Sequence, residues 1–214
     1  MKVSDKSIGR LSLYRFLLDT LHNEGIVKVY SHELAAAANC SPAQVRRDLM
    51  AINYTGSPAH GYAVEKLVVS IDNFLNPSDS LQVCLVGVGN LGRAMLDYFT
   101  SRRPKLHLIA AFDSDAALFN RVTKGVHCYP MTRLEEIIRE KNITVGIITV
   151  PTDAAHDVAE QLIEAGVTGL LNFAPIRLKA PAHVFIENVE LTISLEKVAY
   201  FSNALKTRHE ARKP

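Results

Sequence analysis

The 214-residue chain is 48% hydrophobic and 21% charged, an ordinary globular balance that excludes a collagen-like or disordered polypeptide and leaves room for two modest cores. Its net charge is only +2, with eight Lys or Arg against seven Asp or Glu in residues 1–78 and sixteen against fifteen in the remainder, so any nucleic-acid contact must come from where charges sit rather than from bulk charge. No apolar run reaches the roughly 18–20 residues that span a bilayer, Met1 to Arg10 lacks a signal-peptide core, and Cys40, Cys84 and Cys128 have neither paired spacing nor a His at ligand spacing; a cytoplasmic protein with reduced thiols and no metal is expected.

Leu11, Tyr14, Leu17, Leu18 and Leu21 recur at helical spacing up to Asn23-Glu24-Gly25, which reads as a helix with a stop signal. After the β-branched stretch Ile26 to Tyr30, Ser31 is placed to cap a second helix over His32 to Ala38. Asn39-Cys40 breaks it. Ser41-Pro42-Ala43-Gln44 then supplies an N-cap serine, a proline at the first helical position and a capping-box glutamine. Val45, Leu49 and Ile52 form the buried stripe of this third helix, while Gln44, Arg46 and Arg47 project from other faces. A helix, tight turn and helix over about 14–53 with exposed Arg and Gln is the arrangement that enters a DNA major groove. Asn53 to Gly61 reads as a hairpin, which turns the motif into a winged helix, and Val64 to Phe74 closes the domain as an amphipathic helix.

Turn formers at Asn76-Pro77-Ser78-Asp79-Ser80 mark a boundary between a domain over 1–76 and a second over 80–190. Leu81 to Val86 is a buried strand leading into Gly87-Val88-Gly89-Asn90-Leu91-Gly92 and a helix to about Thr100. Gly87 permits the tight turn, Gly89 a close approach of backbone to pyrophosphate, and Gly92 close packing of helix on strand. Leu106 to Phe112 is a second strand ending in Asp113, 21 residues past the last glycine, where an acid accepts from ribose hydroxyls and repels a 2′-phosphate. NAD(H) is therefore expected over NADP(H).

Thr132-x-x-Glu135 reads as a capping box for a helix to about Lys141, Val145 to Val150 as a strand, Ala154 to Ala165 as a helix, and Gly169 to Phe173 and Val184 to Ile186 as the remaining strands. The fold class is α/β, a Rossmann-like doubly wound parallel sheet. Its crevice should bring Thr149, Val150, Pro151 and Asn172 towards the nicotinamide. Residues 80–190 leave no chain for a substrate domain, and neither His156 nor Tyr98 is a convincing proton donor. The nucleotide thus reads as a signal, not a co-substrate. A small NAD-dependent oxidoreductase or a CoA-binding ligase-like domain is the alternative, since both share this fold. The tail over 191–214 carries Leu191, Leu195, Val198, Phe201 and Leu205 with little local core to cover, which suits packing on a second subunit.

The order of these parts, with Arg10-Leu11-Ser12-Leu13-Tyr14, Ala43-Gln44-Val45-Arg46-Arg47-Asp48-Leu49, the glycine turn, Leu171-Asn172-Phe173-Ala174-Pro175 and Glu187-Asn188-Val189, resembles the Rex family of bacterial redox-sensing repressors over nearly the whole chain. The resemblance implies a homodimer that binds palindromic operator DNA when NADH/NAD+ is low, releases it when NADH binds, controls fermentation and anaerobic respiration genes, and swaps its C-terminal helix between subunits. It implies DNA contacts from Ser41, Gln44, Arg46, Arg47, Arg10 and His60, and a coupling latch of Tyr98, an acid and an Arg. The chain departs from the family pattern with Met50-Ala51-Ile52-Asn53 where a Ser-Tyr-Phe-Gly stretch is common. The wing, Gly56 to His60, has no positive charge, Glu190 stands where many relatives have Asp, and Arg15 lies one place before their Arg.

Overall fold

The computed structural model describes residues 3–54, 60–75, 80–100 and 106–210, the last five by backbone alone, and divides into two compact units, Met1–Asp79 and Ser80–Pro214. In the first unit, α1 (Asp5–Asn23) begins where the Ser4 side chain accepts the Ser7 N–H at 3.2 Å, nearly two turns before the first predicted apolar position. It ends at Gly25, whose φ of +77° is the left-handed conformation that favours glycine. There follow β1 (Lys28–Val29), α2 (Ser31–Ala37), α3 (Pro42–Ala51), β2 (Tyr62–Ala63) and α4 (Val64–Leu75). Leu11, Tyr14 and Leu18 of α1 meet Leu34 of α2, Val45 and Leu49 of α3, and Leu67 and Ile71 of α4 in one core. Of the expected apolar stripes, Leu11, Tyr14, Leu18, Val45 and Leu49 are buried, while Leu17, Leu21 and Ile52 pack against this core half-buried.

Two local expectations in this unit are corrected. Ser31 is the first residue of α2 and not its cap; the Glu33 carboxylate reaches back to accept the Tyr30 N–H at 2.7 Å instead. Ser41 does cap α3, accepting the Gln44 N–H at 3.2 Å, but the Gln44 side chain donates to Asp48 and does not complete a capping box. Among the described residues, Tyr62 and Ala63, which follow the expected hairpin, pair antiparallel with Val29 and Lys28. Residues 55–59 of that expected wing lie outside the described residues.

The second unit is a seven-stranded sheet in the order β5-β6-β4-β3-β7-β8-β9. Its strands are β3 (Leu81–Val86), β4 (Leu106–Asp113), β5 (Val122–Thr123), β6 (Val126–Pro130), β7 (Val145–Ile148), β8 (Gly169–Asn172) and β9 (Phe185–Asn188). All neighbours are parallel except the edge hairpin of β5 with β6. Chain order reverses direction between β3 and β7, so the switch point of the doubly wound fold lies at their carboxyl ends. Alternation along β3 sends Val83 and Leu85 to one face with Leu96 of α5 (Asn90–Thr100), and Cys84 and Val86 to the other, with α6 (Leu134–Glu140) and α7 (Ala155–Glu164).

The sequence reading missed β5 and β6. Their two-residue connection, Lys124 at φ 54° and Gly125 at φ 80°, is the left-handed pair that a tight hairpin demands, and Lys-Gly between β-branched residues was the available signal. The capping box expected at Thr132 is absent, because Met131–Arg133 forms a single 3-10 turn and α6 starts at Leu134 with no side-chain cap. Glu135 and Glu136 instead pair with Arg139 and Arg133 at 2.7 Å each. The chain closes with α8 (Leu191–Glu210), along which Leu191, Leu195, Val198, Phe201 and Leu205 are all more than three-fifths exposed. No helix among the described residues is long and apolar enough to cross a membrane.

Candidate functional site

Each unit carries one candidate site, the first built on buried polar contacts around α3 and the second on the close-packed turn after β3. On α3, Val45, Asp48 and Leu49 face inward, whereas Ala43, Arg46, Arg47 and Met50 face outward. Asp48 is 2% exposed and is therefore the unusual member of the inward set. Arg10 of α1 grips it with two hydrogen bonds, Nε to Oδ2 at 2.6 Å and Nη2 to Oδ1 at 2.8 Å, the bidentate fit of guanidinium to carboxylate. The Tyr14 hydroxyl donates to Oδ2 at 3.1 Å, and the Gln44 amide to Oδ1 at 3.2 Å.

Burial is the largest single influence on the Asp48 carboxyl and pushes its pKa up, but hydrogen bonds from Arg10, Gln44 and Tyr14 together with the Arg10 charge outweigh it and hold the pKa below the ordinary aspartate value. Burial, with the Cys40 and Asp48 contacts, raises the Tyr14 phenol. Of the residues expected at DNA, Arg10 and Gln44 thus point into this cluster and orient α3. Arg46, Arg47, Ser41 and His60 are exposed, and Arg46 also donates to the Ser31 hydroxyl at 3.1 Å.

The cluster's charge sets a pH dependence. A carboxyl whose folded pKa is depressed stabilises the fold fully above its unfolded pKa, about 3.9, and loses that contribution as pH falls through the folded value. Denaturant unfolding of the first unit's signal across pH 2–7 should show this acid limb, and Asp48→Asn should flatten it. Asp48→Ala is expected to cost about 2–3 kcal/mol at pH 7, less than a fully buried pair because Arg10 stays in reach of water.

In the second unit, the turn after β3 is held by steric fit. Gly87 has φ +95°, and a Cβ there would lie 2.8 Å from the Thr149 carbonyl oxygen. A Cβ on Gly92 would strike the Gly87 carbonyl oxygen. The Thr149 hydroxyl donates to that same Gly87 oxygen at 2.7 Å, which locks β7's end to the turn. Gly89 by contrast has nothing within 4 Å, so its backbone lies open to an approaching group. Val88 is buried and its N–H donates to Asp113 Oδ2 at 2.6 Å, while Asp113 Oδ1 accepts the Asp115 N–H at 2.9 Å.

Around this turn is a cleft of about 680 Å³ lined by Gly87, Gly89, Asn90, Leu91, Asp113, Thr149, Val150 and Pro151. The sequence reading missed Ser114, Met131, Asp157 and Gln161, which also line it. Asp157 and Gln161 share one face of α7 at i, i+4 spacing, a signal that was available. Met131 follows β6 and could not be placed without that strand. Asn172 and Tyr98 are not among the lining residues. Asn172 is fully buried: its amide donates to Ile176 O at 2.7 Å and to Asn188 Oδ1 at 3.0 Å, and its Oδ1 accepts the Ala174 N–H at 3.0 Å. It shapes the loop after β8 from beneath. Tyr98 is 49% exposed on α5, edge-on to Phe99. Of the expected latch, Arg15 pairs with Asp72 at 2.7 Å and Glu190 accepts the Thr192 N–H at 3.0 Å.

The cleft has the properties a dinucleotide requires: open backbone at Gly89, a helix starting at Asn90, and a carboxylate at the end of β4. Gly92→Ala should destabilise the second unit by about 1–3 kcal/mol through this clash, read as a fall in its unfolding midpoint, whereas Gly89→Ala should leave stability nearly unchanged.

Comparison with known proteins matches residues 2–49 to the family model "Putative DNA-binding protein N-terminus" and residues 78–176 to "CoA binding domain". The chain is 37% identical to the redox-sensing transcriptional repressor Rex of Lactobacillus acidophilus, over 96% of this chain and 98% of that one. It is 38% identical to Rex of Desulfitobacterium hafniense, over 94% and 95% respectively. Among solved structures it is similar to the Rex-family repressor RSP in complex with NADH, with a TM-score of 0.87 at 31% identity, covering 99% of this chain and 100% of that one. It is also similar to RSP in complex with NAD+ and operator DNA, with a TM-score of 0.84 at 30% identity and full coverage of both chains.

Proposed function

The chain belongs to the Rex family of redox-sensing transcriptional repressors, and from that we propose that it binds palindromic operator DNA as a homodimer and is released by NADH when the NADH/NAD+ ratio rises. The genes so controlled are those of fermentation and anaerobic respiration. One observation carries the reading: a repressor matched end to end, RSP, has structures with NADH and with NAD+ and operator DNA, and α3 with Arg46 and Arg47 outward and the Gly87 to Gly92 cleft with Asp113 support two such sites here.

In the cleft, Gly89 and the start of α5 receive the pyrophosphate, and Asp113 accepts from the ribose hydroxyls with the lone pairs that Val88 and Asp115 leave free. Thr149, Val150 and Pro151 lie towards the nicotinamide. Asn172 acts through the loop it holds. The ligand is a signal, not a substrate, a reading supported by the relatives matched end to end, which are transcriptional repressors. At the DNA, Arg46 and Arg47 make the contacts, Ser41 and His60 flank them, and Arg10 and Gln44 position the helix through Asp48. NADH acts by favouring the dimer state whose two recognition helices no longer match two half-sites about 34 Å apart. The apolar stripe of α8 is covered by the second subunit, in the swapped arrangement that the family resemblance implies. The working compartment is the cytoplasm.

A mobility shift of operator DNA titrated with NADH tests the reading: release by NADH but not by equal NAD+ is expected, and release by neither would refute it. Arg46→Ala with Arg47→Ala should abolish specific binding and lower the log–log salt slope by about 0.9 for each lost phosphate contact. Asp113→Ala should weaken NADH about ten- to hundredfold by calorimetry while leaving operator binding intact. The match to the CoA-binding family favours one other reading, and tighter calorimetric binding of CoA than of NADH would establish it.

A further inference from the structure

The outward face of α3 carries one residue that neither the fold nor the two arginines explains. Met50 is 69% exposed near the carboxyl end of the helix, whereas the inward positions Val45, Asp48 and Leu49 are at most 2% exposed. It stands four residues after Arg46 and three after Arg47, so the three side chains are neighbours on one helix surface, with Cβ atoms about 5–6 Å apart. An apolar tip set beside two guanidinium groups defines what can cover it. An apolar protein surface would strip water from both arginines without pairing them, which is strongly unfavourable. A DNA major groove offers phosphate and guanine acceptors to the arginines and, on the same floor, a single exposed methyl group, that of thymine.

We infer that Met50 is a specificity-determining residue that packs on the C5-methyl of a thymine in each operator half-site, next to the bases or phosphates that Arg46 and Arg47 contact. The inference rests on the repressor reading and deepens it by naming a base. Adjacent base pairs are about 3.4 Å apart along the duplex, so side chains 5–6 Å apart on the helix reach the same or the next one or two steps. Met is suited to the contact because its unbranched, polarisable thioether adapts to a flat apolar target and carries no polar group that the methyl would leave unpaired.

The experiment isolates the methyl. A duplex selected by the full-length protein from a random-sequence pool is resynthesised with deoxyuridine for thymidine at one symmetric pair of positions at a time, which removes two methyl groups and no hydrogen bond. Burial of one methyl corresponds to about a fourfold effect, so wild type should lose about sixteenfold affinity at one pair and little at the others. Met50→Ala, at a position too exposed to carry the core, should bind the thymidine duplex about as weakly as wild type binds that uridine duplex, and should lose nothing further on uridine substitution. A flat uridine scan with wild type, or unchanged uridine sensitivity in Met50→Ala, would overturn the inference and leave the repressor reading standing. Selection of no duplex at all would overturn the repressor reading and this inference with it.

Discussion

The buried carboxylate of Asp48 is the constraint around which the first unit is organised. A charge at 2% exposure is tolerated only where donors surround it, and here they come from two helices: Arg10 and Tyr14 from α1, Gln44 from α3 itself. Apolar burial alone would let α3 slide or roll on α1, because hydrophobic contact is non-directional. A bidentate ion pair is directional. It fixes the rotation of α3 about its axis, and that rotation decides which side chains face out. The exposure of Arg46, Arg47 and Met50 therefore follows from the burial of a residue on the opposite face.

The second unit solves a comparable problem by excluding atoms. At the switch point between β3 and β7, the Gly87 carbonyl receives the Thr149 hydroxyl and lies directly against Gly92, while the Thr149 carbonyl and Val150 close the space at Gly87, so neither glycine has room for a side chain. The one glycine of the turn with open surroundings, Gly89, is where a ligand's phosphate would need the backbone bare. The three glycines of one motif thus do two jobs, two of them internal and one outward.

The elements that were legible in the sequence are those whose burial is periodic and continuous. Leu11, Tyr14 and Leu18, Val45 and Leu49, and the run Leu81 to Val86 each announce their element because packing and periodicity coincide. What escaped was decided by partners distant in sequence. Gln44 has the right spacing for a capping box, yet Asp48 one turn ahead offers a charged acceptor and wins the amide. Thr132 has the same spacing, but the 3-10 turn at Met131 starts the helix late. Asn172 is at the end of its strand as expected, but its amide is consumed by Ile176 and Asn188, a residue 16 positions away that no local pattern could pair with it. In the cleft, the residues of the glycine turn and strand ends were readable from motif spacing, while Met131 needed the β5–β6 hairpin to bring it there.

The thiols of the second unit complete the picture. Cys84 lies wholly inside β3, where burial pushes its pKa up to about 12, and Cys128 is raised by burial and by the nearby Asp113 charge. At neutral pH neither presents the thiolate that oxidants attack. The nucleotide unit accordingly has no sulfur couple of its own through which to exchange electrons with its surroundings. Under the proposed function, the redox signal would therefore reach this unit through the dinucleotide it holds and not through its thiols, which stay protonated inside the sheet.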